Sequence, residues 1–379
     1  MFNTIEIQSY VNQAVINQNE EKVYLPGQLG AQIKKLGDAD FDLEQLDIVI
    51  LGCSEQRGKK NKESFSNAPN AIREELYDMY LWHKELKIGD IGNVVMGETL
   101  QDTGVALMTI LEELHNEGKK VIVLGGSHDL TLQQYNIFKR KDELIDFTVV
   151  DQFADMSEEQ GAPHNKYLFE ILTETPNFVR HFNLIGFQSY NVNPKIIEVF
   201  DKLRFDCVRL GKAREDLNEL EPMFRQSHVV SLDMNVVRYS DAPANSSYSP
   251  NGFMGDEMCT ITKQIGMSSH LASFGIFGYE AEKDQHRMTA KLIAQMIWYF
   301  FDGLQIAKSE SELSDREQFV EYQVSFTDVE STFLKSKNTN RWWMKLPDEQ
   351  FIPCTYNDYL TACHNEVPER WLRELERLV

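Results

Sequence analysis

Short apolar runs rich in Val, Ile and Phe recur from residue 46 onward, and between them apolar residues return at helical spacing. A run of this kind bounded by Gly, Asn or Asp reads as a buried strand, and a 3.6-residue period over about ten or more residues reads as an amphipathic helix. The runs predict eight strands, at residues 46–52, 87–91, 121–125, 146–151, 183–187, 205–210, 228–233 and 272–278. Helices are predicted between them at 68–82, 103–117, 130–139, 166–173, 194–202 and 284–302. Pro69 suits the first turn of its helix, where a missing N–H costs nothing, and Gly118 suits the left-handed cap that closes another.

Strands and helices that alternate in this way build a parallel sheet covered on both faces. The predicted fold is α/β, a three-layer αβα sandwich around an eight-stranded, mainly parallel sheet spanning residues 46–303. Two segments stand outside the repeat. Residues 1–45 are polar and predict an amino-terminal arm or helical cap. Residues 304–379 carry Trp342, Trp343, Tyr356, Tyr359 and Trp371, too aromatic for a disordered tail. They predict an ordered appendage, packed on the core or used as an interface.

Charge narrows the partners. With 38 Lys and Arg against 59 Asp and Glu, the chain carries a formal net charge of −21, which argues against a broad surface for nucleic acid. The apolar stretch at 292–301 is far shorter than the roughly 20 residues a bilayer needs, so membrane insertion is not expected. Met1 to Ala14 has no secretory pattern, and the five cysteines form no CxxC pair or dense framework. A cytoplasmic protein with reduced thiols is the expectation, and assembly with identical copies is compatible with it.

In sheets of this type ligands bind beyond the carboxyl ends of the strands. The third predicted strand runs into Gly125-Gly126-Ser127-His128-Asp129, the fourth ends in Asp151-Gln152-Phe153-Ala154-Asp155, and the seventh ends in Ser231-Leu232-Asp233-Met234-Asn235. A lone Asp at a strand end is usually a turn residue or helix cap. Three such motifs in order supply carboxylate oxygens and an imidazole, a donor set suited to Mn²⁺ or a similar divalent ion.

These motifs resemble those of the ureohydrolase family of arginase, agmatinase and formimidoylglutamase. Gly125 to Asp129 is similar to its Gly-Gly-Asp-His-Ser, Asp151 to Asp155 to its Asp-Ala-His-x-Asp, and Ser231 to Asn235 to its Ser-x-Asp-x-Asp. Asn67 to Arg73, Asp90 to Val94, Ala242-Pro243 and Pro250-Asn251-Gly252 resemble further segments of it. The resemblance implies two Mn²⁺ ions that activate a hydroxide against a guanidino or formimino carbon. One ion would be held by His128, Asp151, Asp155 and Asp233. The other would need a His where Phe153 stands and an Asp where Asn235 stands.

A third departure follows the last strand, where Gly278 occupies the position of a Glu that holds a cationic substrate group. Glu280 and Glu282 lie close by and would replace it only in a re-routed loop. His164 falls near the place of a proton-shuttling His, with a plain loop histidine as the alternative. Taken together, the departures predict a catalytically degenerate scaffold, not an enzyme, that acts by binding a protein partner and holds one divalent ion weakly or none. The alternative is a metal-dependent hydrolase of a C–N bond in a formimino or guanidino compound.

Overall fold

A computed structural model describes residues 4–14, 22–59, 65–157, 161–327 and 329–378. Its central sheet has ten strands: β1 (Val11–Asn12), β2 (Lys34–Lys35), β3 (Ile48–Gly52), β4 (Ile88–Val94), β5 (Lys120–Leu124), β6 (Ile145–Val150), β7 (Val179–Phe187), β8 (Asp206–Arg209), β9 (Val229–Asp233) and β10 (Ser273–Phe277). All eight predicted strands are present. The two additions are dipeptides from the amino-terminal segment that pair with β4, β1 antiparallel and β2 parallel. That segment therefore joins the sheet edge rather than capping it.

The order is β1-β4-β3-β5-β10-β9-β6-β7-β8, and the pairs from β4 to β8 are parallel. Alternate residues of one strand serve opposite layers, as the two-residue period of a strand requires. Ile48, Ile50, Ile122 and Leu124 pack with the helices Ala68–Leu76, Gly255–Gly266 and Met288–Lys308. Val49, Leu51, Val121 and Val123 pack with Leu100–Asn116, Thr131–Arg140 and Tyr167–Thr173. Burial on both faces is why these strands read as continuous apolar runs.

Helix ends follow local chemistry. Thr99 accepts from the Asp102 N–H at 3.1 Å while the Asp102 carboxylate accepts from the Thr99 N–H at 2.9 Å, a reciprocal cap that starts the helix Leu100–Asn116. The helix Ala68–Leu76 stops short of the predicted residue 82, and Gly255–Gly266 was not predicted at all. Thr260, Thr262 and Cys259 give the latter a weak intrinsic preference, and packing of Met258, Ile261 and Ile265 on the sheet supplies what propensity does not.

The appendage is a four-stranded antiparallel sheet, β11 (Phe319–Phe326), β12 (Val329–Ser336), β13 (Trp342–Lys345) and β14 (Phe351–Cys354), followed by the helices Tyr356–Cys363 and Glu369–Leu378. It has a core of its own around Phe326, Phe333, Trp342, Met344 and Trp371. Arg225 ties it to the main layer, donating to the Trp342 carbonyl at 2.8 Å and lying 4.5 Å from the Trp343 ring centre. No helix among the described residues is long and apolar enough to cross a membrane.

Candidate active site

Between β5 and β6 the chain jumps across the sheet, leaving β10 and β9 to be inserted between them later. The carboxyl ends of these four central strands carry the candidate residues. Leaving β5, the chain needs two glycines. A Cβ on Gly125 would meet the Phe277 ring at 2.1 Å, and one on Gly126 would meet the Glu55 carbonyl at 2.0 Å. This close approach drops His128 into the sheet edge, where it is 1% exposed.

His128 is the hub. Its Nδ1 lies 3.1 Å from Asp155 Oδ2, 3.3 Å from Asp151 Oδ2 and 3.5 Å from Asp233 Oδ2. Its Nε2 meets Ser231 Oγ at 2.9 Å and Tyr167 Oη at 3.2 Å, and Thr131 Oγ1 stands 2.6 Å behind Ser231. His128, Asp151 and Asp233 each offer one ligand atom, all within 4.8 Å of one another. One divalent ion fits between atoms so spaced.

Burial works against a charge on His128, but the hydrogen bonds to Asp151 and Asp155 and the charge of Asp233 outweigh it and raise the imidazolium to about 10. Burial, partly offset by the bond to His128, pushes the Asp151 carboxyl well up, and the neighbouring Asp233 and Asp155 push it further. Without an ion the cluster therefore retains protons. Arg238 takes no part, being paired with Asp241 at 2.8 Å.

Above the cluster opens a cleft of about 1080 Å³ whose lining includes Asp151, Phe153, Asp155, His164, Asp233 and Asn235. His164 Nδ1 meets the Gly58 carbonyl at 2.9 Å, so Nδ1 donates and Nε2 carries the lone pair. Asn235 donates its backbone N–H to Asp233 Oδ1 at 2.7 Å, while its side-chain oxygen accepts from Ser246. Gly278 also stands at Asp233, where a Cβ would fall 2.3 Å from Oδ1. Glu280 is placed elsewhere: it is outside the cleft lining, buried, 3.6 Å from Lys59 and 2.5 Å from Lys283.

Ser231 was legible at the head of its strand-end motif, whereas nothing in the pattern marked Tyr167, which reaches His128 from the first turn of the helix Tyr167–Thr173. Residues 46–302 match the sequence profile of the Arginase family. The chain belongs to the arginase family. Similar proteins include the formimidoylglutamases of Bacillus subtilis (strain 168), 21% identical with 73% of this chain and 93% of that one covered, and of Staphylococcus aureus (strain MRSA252), 22% identical with 67% and 85% covered. Among solved structures, the Trypanosoma cruzi formiminoglutamase with Mn²⁺ aligns at TM-score 0.66 and 17% identity, over 73% of this chain and 98% of that one. The Bacillus subtilis formimidoylglutamase aligns at TM-score 0.65 and 16% identity, over 80% and 99%. At such identities the two structures speak for the fold.

These findings overturn the expectation of a degenerate scaffold that is not an enzyme. The relatives matched over most of their length are formimidoylglutamases, and the His and Asp side chains that a metal needs converge instead of dispersing. The departures at Phe153, Asn235 and Gly278 leave His128, Asp151 and Asp233 converging. Counting losses without their location overstated the damage.

Proposed function

We propose that this protein is a metal-dependent hydrolase of a C–N bond in a formimino or guanidino compound, using one divalent ion held by His128, Asp151, Asp155 and Asp233. The convergence of three carboxylates on the His128 imidazole carries the reading. A ligand set of carboxylate oxygens with one imidazole suits Mn²⁺. When bound, the ion supplies a lowered water pKa and polarisation of the substrate.

The chain's own residues do the rest. Ser231 and Tyr167 fix the His128 ring from behind, so Nδ1 faces the carboxylates. Asp233 is fixed in turn by the Asn235 N–H. His164, with Nε2 able to exchange a proton, stands in the cleft where the leaving nitrogen must be protonated. In the overall reaction the oxygen of water bonds to the carbon, the C–N bond breaks, and the nitrogen leaves with a proton. Formamide is released from a formimino compound and urea from a guanidino compound.

A second ion would depend on Phe153, which has no ligand atom in its side chain, and on Asn235, whose oxygen is committed to Ser246. Metal analysis after Mn²⁺ loading and desalting tests the stoichiometry. One ion per chain, lost in Asp233→Ala, supports the reading. Two tightly held ions, or none, contradict it.

A further inference from the structure

One helix beside the cleft keeps part of its apolar face out of the core. Pro194–Lys202 is capped by Asn193, whose side chain accepts from the Lys195 N–H at 3.1 Å, and Phe200 alone is buried within it. Ile196 and Val199, three apart and so on one face, line the cleft that holds the His128 carboxylates, and Val199 is 47% exposed. The same cleft takes Phe169 from the helix Tyr167–Thr173, and Phe153 and Met156 from the loop after β6, each only partly buried. Apolar side chains from three elements therefore open onto the concavity that also contains the candidate metal ligands.

Much of the polar lining is already committed. Asp151, Asp155 and Asp233 surround His128, Asn193 caps its helix, and the hydroxyls of Ser246 and Ser247 donate to Asn235 and Asn245. Beyond the three aspartates, the only full charge that the described lining adds is Lys195, which is exposed. Ligand sites are mostly apolar, with a few convergent polar groups that fix orientation, and here those groups converge around His128. A reacting carbon with its nitrogens fills only a small part of a cleft of about 1080 Å³. What remains is bordered by Phe153, Met156, Phe169, Ile196 and Val199.

We propose that this cleft takes an amidine or guanidine whose leaving nitrogen carries an apolar arm, an alkyl chain or an aromatic ring, which packs on these side chains. The proposal rests on the hydrolase reading of the cleft and names the arm which that reading leaves open. In the reaction the oxygen of water bonds to the amidine carbon and the bond to the substituted nitrogen breaks. That nitrogen takes a proton and leaves as an apolar primary amine. Affinity then grows with the arm, since each methylene fully removed from water is worth a factor of about four, and one left half-covered is worth less.

The test uses N-alkylformamides from ethyl to hexyl, which keep the one-carbon head and the substituted nitrogen but lack the imine. They are titrated into full-length protein loaded with Mn²⁺. Wild type should bind about two- to fourfold tighter for each added methylene, and at least about tenfold tighter from ethyl to hexyl. An arm of similar length that ends in a carboxylate, 5-formamidopentanoate, should bind more weakly than the pentyl probe, in spite of Lys195. Val199→Asp and Ile196→Ser should each bring the ratio per methylene toward one. That ratio is read within one protein, so a smaller folded fraction does not imitate its loss. A wild-type ratio of one, tighter binding of the carboxylate probe, no binding of any probe, or a ratio unchanged in both variants overturns the proposal. Formamide released from formimino substrates beside a flat ratio would count against the arm alone. A steep ratio with no formamide from N-hexylformamidine would count against the hydrolase reading alone.

Discussion

His128 Nδ1 lies 3.3 Å from the Asp151 carboxylate although the two residues leave strands that are not neighbours, β5 and β6, with β10 and β9 between them. The Gly125-Gly126 turn lets His128 reach across that gap, and the contact decides how the centre responds to pH. The imidazole is held charged up to about 10, since its bonds to Asp151 and Asp155 overcome the burial that would neutralise it.

A metal ligand must be neutral imidazole, so binding an ion releases that proton. Mn²⁺ affinity is expected to rise with pH across the range from 6.5 to 9, by about tenfold per unit for one proton released. In the ion-free protein the sign runs the other way. His128 has a folded pKa above its unfolded 6.5, so its contribution to stability is complete below 6.5 and lost as pH rises toward about 10. Thermal melts of ion-free protein should fall over that window, and saturating Mn²⁺ should flatten the fall. An affinity independent of pH would mean that His128 is not displaced from its proton.

Gly278 is predicted to be intolerant of any side chain. Its positive φ strains an L-residue, and the Cβ would collide with Asp233 Oδ1. Gly278→Ala should cost about 2–4 kcal/mol of stability and weaken Mn²⁺ binding, because Asp233 must shift. Restoring the carboxylate of the family with Gly278→Glu should be worse. A Gly278→Ala protein with unchanged melting temperature and Mn²⁺ affinity would show that neither the turn after β10 nor Asp233 depends on the missing side chain.

The appendage should be held to the main layer by Asp206. Its carboxylate accepts from Arg373 and Arg377 at 2.7 Å each, and burial, which would raise it, is overcome by His181 and Arg377, which hold it well below the usual range. A depressed carboxylate contributes above its unfolded pKa of about 3.9 and loses that contribution as pH falls further. The arginines are partly exposed, so Arg373→Ala with Arg377→Ala should cost about 1–3 kcal/mol in all. Chemical denaturation of the double variant, with the appendage tryptophans as probe, checks this. No change in midpoint would mean that the joint is carried by its other contacts, among them Arg225 to the Trp342 carbonyl and Arg341 to the Met267 carbonyl.

Much of this was legible in the sequence, and for a common reason. Strands buried on both faces show as unbroken runs such as Ile48 to Leu51, and ligand candidates stand where those runs end, so His128, Asp151, Asp155 and Asp233 were found together. The two-residue strands at Val11 and Lys34 left no periodic signal, because pairing with β4 alone defines them. Tyr322, Val324 and Phe326 do alternate with polar residues, and that pattern could have revealed β11. What no pattern could reveal is which end of the Asn235 amide faces the cleft, since Ser246, eleven positions later, sets it. The same limit explains the mistaken scaffold expectation: replaced residues are visible in sequence, but whether the remaining ligands still converge is not.

The most direct test of the account is product release by the Mn²⁺-loaded protein. N-formimidoyl and guanidino amino acids are supplied at saturating concentration, and formamide and urea are measured for the wild type, for His128→Ala and for Asp233→Ala. The account predicts formamide from the formimino substrates, dependence on added Mn²⁺, and loss of at least about a hundredfold in rate in either variant, as for removal of a metal ligand or its close support. Absence of both products at every metal concentration, in protein shown to hold its ion, would contradict it.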